Sequence, residues 1–120
     1  MDISFYIPAY NAEKTIKKCI DSILSQTVSP KKILVINDCS TDSTKKILSS
    51  YGSKVETINN AKNLGVSYNR NLATRYLKTR YIASIDADVE LNEDWTKILV
   101  TKSGEKGITL IGGKMYEKYI

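Results

Sequence analysis

Residues 32–37 read Lys-Ile-Leu-Val-Ile-Asn, and every interior position of the run is apolar. A half-exposed strand alternates apolar and polar side chains; a continuous run of this length suits a strand covered on both faces. The neighbouring segments supply the cover. "ISFYI" (3–7) is a strand-like run stopped by Pro8, and Asn11 can cap a helix carrying Ile16, Cys19, Ile20, Ile23 and Leu24 at helical spacing. After 32–37, Ser40 or Thr41 can cap a second helix with Thr44, Ile47, Leu48 and Tyr51 on one side and Gly52 at its end. "VETI" (55–58), a helix over 66–77, "YIASID" (81–86), a short helix with Trp95, Ile98 and Leu99, and "ITLIGG" (108–113) continue the alternation. Parallel strands need crossover helices, so the order predicts one domain: a three-layer α/β/α sandwich with a mostly parallel, Rossmann-like sheet.

Sheets of this kind bind ligands at the carboxyl ends of their strands. Three polar clusters fall there: "PAYN" after the first strand, "NDCSTD" after the second and "DADVE" after the fourth. The first turn, "PAYNAEK", lacks the glycines that cradle a phosphate, and there is no P-loop. A divalent cation on carboxylates is the alternative, since Mg²⁺ and Mn²⁺ are held by one or two carboxylates and substrate phosphate oxygens. Asp86 and Asp88, on alternate residues of an expected extended segment, would share a face and serve as the metal pair.

Other residues qualify more loosely. Asp38 follows the buried strand, and a carboxylate there could accept the N3–H of uracil. The competing reading, helix-start charge, suits Asp42 better. The stripe Val66, Asn69, Arg70, Ala73, Leu77 should face the core, so Arg70 either snorkels to solvent or reaches a polar partner. Tyr10 offers a ring for base stacking or for plain packing. The chain has no histidine, which removes Ser-His-Asp and Cys-His catalysis and the usual zinc hydrolase sites. Cys19 and Cys39 read as buried reduced thiols. A net charge of +5 is spread over scattered lysines and does not form a nucleic-acid stripe. No apolar run is long enough to cross a membrane and no signal peptide is visible, so the default location is the cytoplasm, with the inner face of the membrane as the alternative.

Four segments together resemble the family 2 glycosyltransferases of GT-A fold: "IPAYNAEKTI" (7–16), "VINDCSTDST" (35–44), "NLGVSYNRN" (63–71) and "DADVEL" (86–91). The resemblance implies that Pro8 and Tyr10 line a base pocket, Asp38 binds uracil and Arg70 sits beside the base. Asp86 would lie near ribose and metal, and Asp88 would ligate Mn²⁺ or Mg²⁺. Glu13 would order a loop. It also implies a nucleotide-sugar donor, UDP-linked, transferred with inversion to a carbohydrate or lipid-linked acceptor. Three residues depart from the family pattern: Asn37 for the first acid of its D-D pair, Cys39 for a glycine, and Asn69 for an alanine. In the family the acceptor-binding half and the catalytic aspartate follow the segment matched by 110–116. Residues 1–120 are therefore expected to be the donor-binding half, cut before the acceptor-binding half. The rival reading is a non-catalytic nucleotide-binding or interaction domain on the same fold.

Overall fold

A computed structural model describes residues 2–103. The elements are β1 (Ile3–Ala9), α1 (Ile16–Leu24), β2 (Lys32–Asn37), α2 (Thr44–Ser49), β3 (Glu56–Asn59), α3 (Val66–Tyr76), β4 (Tyr81–Ser84) and α4 (Trp95–Ser103). A 3₁₀ turn, Gly52–Lys54, leads into β3. The four strands are all parallel, in the order β3-β2-β1-β4. The expected strand at 108–113 lies outside the described residues.

The order follows from which residues each face can bury. On β1 the odd positions Ile3, Phe5, Ile7 and Ala9 join Ile33 and Val35 of β2 against Ile16, Cys19, Ile20 and Ile23 of α1, with Leu48 of α2 and part of Trp95 and Leu99 of α4. Phe5 and Trp95 meet as a tilted ring pair, 5.7 Å between centroids. The opposite face carries Tyr6, Leu34 and Ile36, covered by Ala73 of α3 and by Leu77. β2 is thus buried on both sides, as its apolar run requires. Each fully buried aliphatic chain contributes roughly 1.5–3 kcal/mol over leaving it in water. Truncating Ile20, fully enclosed at the α1–sheet contact, would cost about 2–5 kcal/mol through lost burial and the cavity left behind.

Three local expectations are corrected. β1 does not stop at Pro8; Pro8 pairs with Ile36 and the strand runs on to Ala9. The reason is directional. Tyr6 O accepts from Ile85 N–H on the β4 side and Ala9 O from Asp38 N–H on the β2 side. Pro8, two residues after Tyr6, therefore faces β4, whose ladder has ended at Ser84, and its missing N–H breaks no pairing. Asn11 does not cap α1, which begins after Thr15 without a side-chain cap. Ser40 and Thr41 do not cap α2, whose boundary residue is Ser43. Gly52 does take the left-handed conformation, φ 58, but opens the 3₁₀ turn two residues past the α2 cap residue Ser50.

Candidate functional site

The loops after β1 and β2 are stitched together at the carboxyl edge. Asn11 N–H donates to Ser40 Oγ (2.9 Å), and Asn11 Oδ1 accepts from Thr41 N–H (2.7 Å). Ala12 N–H donates to Thr44 Oγ1 (2.9 Å) and Glu13 N–H to Asp42 Oδ2 (3.2 Å). In return Glu13 Oε2 accepts from Ser43 N–H (3.0 Å). The loop N–H groups of residues 11–13 ahead of α1, and those of Thr41 and Ser43 ahead of α2, are satisfied across the two loops. Asn11 holds φ 47 to do so, a left-handed conformation that asparagine tolerates better than most residues. Asp42 also accepts from Thr44 N–H through Oδ1 (2.9 Å). This is the helix-start role read from the sequence. Burial alone would raise the Asp42 carboxyl, but the hydrogen bonds from Thr44 and Glu13 hold it below the ordinary range. Glu13 is the loop-ordering residue the resemblance implied.

Asp38 lies one residue beyond β2 and is only 6% exposed. Its Oδ1 accepts from Asn60 Nδ2 (2.9 Å) and Leu64 N–H (2.8 Å), and its Oδ2 from Gly65 N–H (3.0 Å). Burial pushes this carboxyl up, yet the donors from Leu64, Asn60, Gly65 and Asn69 outweigh it and hold the group low. Gly65 must be glycine-like here: it takes φ 86 at the start of α3 while aiming its N–H at the carboxylate. Asn60 also donates to Asn69 Oδ1 (2.7 Å), and Asn37 donates to Asn59 Oδ1 (2.9 Å) and accepts from Ser40 Oγ (2.6 Å). Two of the departures, Asn37 and Asn69, are thus buried amides in one polar network. The third, Cys39, adopts φ 62 and is only partly buried, so Cys19 alone meets the expected burial. The turn keeps the conformation glycine would give it, at a cysteine's steric cost.

The acidic segment differs from the extended geometry expected of it. β4 ends at Ser84, and residues 86–89 close into a turn, Val89 N–H donating to Asp86 O at 3.1 Å. Asp86 and Asp88 are both exposed on this turn. Pairing stops there because Ile85 N–H makes the last bond to β1, while Ile85 itself still buries in the core. Cys19 Sγ lies 3.5 Å from the Asp86 backbone oxygen, within reach of both charges. Burial pushes that thiol up to about 12, and the charges of Asp88 and Asp86 push it the same way. Among the described residues no group of three or more carboxylate, cysteine or histidine side chains could enclose a metal. Two exposed carboxylates fit an open half-site, of the kind that takes Mg²⁺ or Mn²⁺ together with substrate oxygens.

The remaining predicted residues lie around the same edge. Pro8 is the penultimate residue of β1 and Tyr10 lies one residue beyond the strand; Tyr10 is 53% exposed, its ring not spent on packing. Asp38 N–H is bonded to Ala9 O (2.8 Å), which sets Asp38 level with Tyr10. Arg70 corrects the stripe reading: α3 buries Asn69 and Ala73, whereas Val66 and Arg70 face solvent. Arg70 still reaches this neighbourhood electrostatically. Burial raises the Tyr6 phenol, with the Arg70 charge pulling it down and Asp38 pushing it up. Sequence reasoning missed Asn60, Leu64 and Gly65 as partners of Asp38. The "NLG" turn was the available signal, a glycine directly before a helix.

A parallel sheet with crossover helices, whose acids and one exposed aromatic ring gather at the carboxyl edge of its strands, defines a Rossmann-like fold of GT-A type. The chain matches glycosyl transferase family 2 over residues 4–119. It is 37% identical over 94 residues to a chondroitin synthase of Pasteurella multocida (strain Pm70), a match covering 77% of this chain and 10% of that protein. The crystal structure of S. aureus TarS 1-349 in complex with UDP-GlcNAc superposes with a TM-score of 0.77 at 27% identity, over 84% of this chain and 30% of that one. A mannosyltransferase, PcManGT from Pyrobaculum calidifontis, in complex with GDP-Man and Mn²⁺, shares the fold with a TM-score of 0.80 at 18% identity, over 89% and 33%. The chain belongs to glycosyl transferase family 2. It spans a tenth of the length of that curated relative and about a third of the two solved chains.

Proposed function

We propose that this chain forms the donor half of an inverting glycosyltransferase that uses a UDP-sugar. The observation carrying the reading is the placement of Tyr10, Asp38 and the Asp86/Asp88 turn at one sheet edge. The UDP-GlcNAc complex of a TarS protein with the same fold supports it. Tyr10 stacks on the base and Pro8 backs it. Asp38 Oδ1 takes two donors and Oδ2 takes Gly65 N–H, and the N3–H of uracil would take the remaining acceptor position in competition with the Asn69 amide. Arg70 lies beside the base, and Asp86 reaches toward the ribose and the metal.

Asp88, with Asp86, would hold Mn²⁺ or Mg²⁺, which supplies Lewis-acid neutralisation of charge on the leaving diphosphate. In the overall transfer an acceptor hydroxyl oxygen bonds to the anomeric carbon, the bond from that carbon to the diphosphate oxygen breaks, and UDP departs. The hydroxyl proton goes to a general base. We assign that base to no residue of this chain. The acceptor is a carbohydrate or lipid-linked hydroxyl. Work in the cytoplasm at the inner membrane face would suit the exposed Lys17, Lys18, Lys45 and Lys46 on the helices of one layer. No helix among the described residues is long and apolar enough to cross a membrane.

Isothermal calorimetry with UDP, CDP and UMP, each with Mn²⁺ and with EDTA, tests the reading. UDP should bind more tightly with Mn²⁺, ahead of both CDP and UMP. Absence of UDP heat from a folded chain would favour an interaction domain instead.

A further inference from the structure

Gln26 sits two residues past the end of α1, is buried, and uses its whole carboxamide. Nε2 donates to Ser22 O (3.0 Å) and to Asn92 O (2.7 Å), and Oε1 accepts from Thr96 N–H (2.8 Å). The network fixes the amide's orientation, because Thr96 N–H needs an acceptor and Asn92 O a donor. Four residues earlier, Ser22 Oγ accepts from Leu91 N–H (3.0 Å) while donating to Cys19 O (2.7 Å). Cys19 Sγ in turn points at Asp86 O (3.5 Å), and Thr27 N–H donates to Glu93 O (2.9 Å). Residues 19, 22, 26 and 27 therefore meet 86, 91, 92 and 93 in the same chain order. The backbone carrying the acidic turn is laid along α1 and pinned on both sides of Asp88.

Such pinning has a physical purpose. Two exposed carboxylates on a short turn repel each other, and a turn free to spread them would hold a cation poorly. A buried glutamine with every polar atom paired is rigid, and losing it strands buried backbone groups. We propose that Gln26, assisted by Ser22, is a positioning residue that fixes the Asp86–Val89 turn in the geometry a divalent cation needs. The inference rests on the donor-site reading above.

The test uses Gln26→Met, which keeps the volume and removes the polar contacts, and Ser22→Ala, a milder loss that carries the test should the first variant not fold. Hydrogen–deuterium exchange is followed over residues 86–96, and UDP binding is measured by calorimetry with Mn²⁺ and with EDTA. Exchange at Leu91 and Thr96 should quicken by about tenfold or more while β2 and α2 stay protected. The Mn²⁺-dependent gain in UDP affinity should fall about tenfold, the scale seen when groups behind metal ligands are removed. Affinity in EDTA should stay within about twofold of the parent. Unchanged exchange in both variants, or equal affinity loss with and without metal, overturns the assignment. If the parent chain itself shows no Mn²⁺-dependent gain, the donor-site reading falls, and the role proposed for Gln26 falls with it. The exchange pattern then reports only whether Gln26 pins the segment.

Discussion

Glu13 and Asp42 are joined across the carboxyl edge of the sheet: the Glu13 N–H donates to Asp42 Oδ2, and the Glu13 carboxylate accepts from Ser43, the residue next to Asp42. Both carboxylates are spent holding two loops in register, so that Tyr10 on one loop and Asp38 on the other are presented together. Motif residues near a site thus divide into those that touch a ligand and those that aim them.

Asn11 separates the two costs of that clamp. Asn11→Ala should destabilise the fold by about 1–2 kcal/mol, losing the Thr41 bond and forcing alanine to the left-handed φ of 47. Asn11→Gly should recover part of this, since glycine accepts the conformation without steric penalty. Urea denaturation of the pair measures the difference. Equal costs would mean that conformation plays no part.

Cys39→Gly should stabilise the chain by up to about 1 kcal/mol, because a non-glycine residue pays for φ 62 and gains only a long thiol contact to Ala61 O at 3.5 Å. Cys39→Val should do the reverse. Thermal midpoints of the two variants on either side of the parent are the expected pattern.

Asp38 and Asp42 both titrate below the ordinary value of 3.8 in the folded state. The unfolded chain therefore binds more protons in the acid range, and the stability these groups confer is complete above the unfolded value. It is lost as pH falls through 3.8 and below. Unfolding free energy should rise with pH up to about pH 4–5 and then level off as far as these two groups are concerned. Asp38→Asn should flatten the acid limb and lower stability by about 2 kcal/mol at neutral pH, since the amide cannot accept from Leu64, Gly65 and Asn60 together. Urea titrations at a series of pH values check both parts.

Asp88→Asn should abolish the Mn²⁺ dependence of UDP binding with the fold intact, whereas Asp42→Asn should lower stability and leave that dependence in place. Calorimetry beside denaturation distinguishes them. If both variants bind UDP like the parent, the site residues are wrongly assigned.

Tyr10→Ala should weaken UDP binding by about tenfold, since stacking on a base contributes about 1–3 kcal/mol. Tyr10→Phe should bind nearly as the parent does. A phenylalanine variant as weak as the alanine one would point to the hydroxyl instead of the ring.

The sheet was legible in the sequence because burial on both faces leaves a short continuous apolar run, too short for a buried helix and bounded by polar residues, as at Ile33–Ile36. Its carboxyl edge was legible for the same reason, since polar clusters begin where that burial stops. Conformation at the edge was not. Ile85 continues the apolar run beyond the last ladder bond, so the sequence shows no break before the turn at Asp86. Asn11 carries the chemistry of a helix cap but spends it on Thr41, thirty residues away. The α3 stripe misled because the helix packs through Asn69 and Ala73, continued by Leu77, and Arg70, one residue past Asn69, is turned about 100° off that face. Gln26 gave no signal at all: its partners at 92 and 96 are backbone groups, which any sequence would offer.

The strand order β3-β2-β1-β4 puts β1, the first of the described strands, in the interior of the sheet. Ile3 must await Tyr81 before its second flank is closed. On a ribosome, where chains emerge at about 5–20 residues per second, β1 would spend several seconds with one side open, a window for nascent-chain chaperones to shield it. The domain's assembly is therefore timed by arrival of the same strand that delivers the acidic turn.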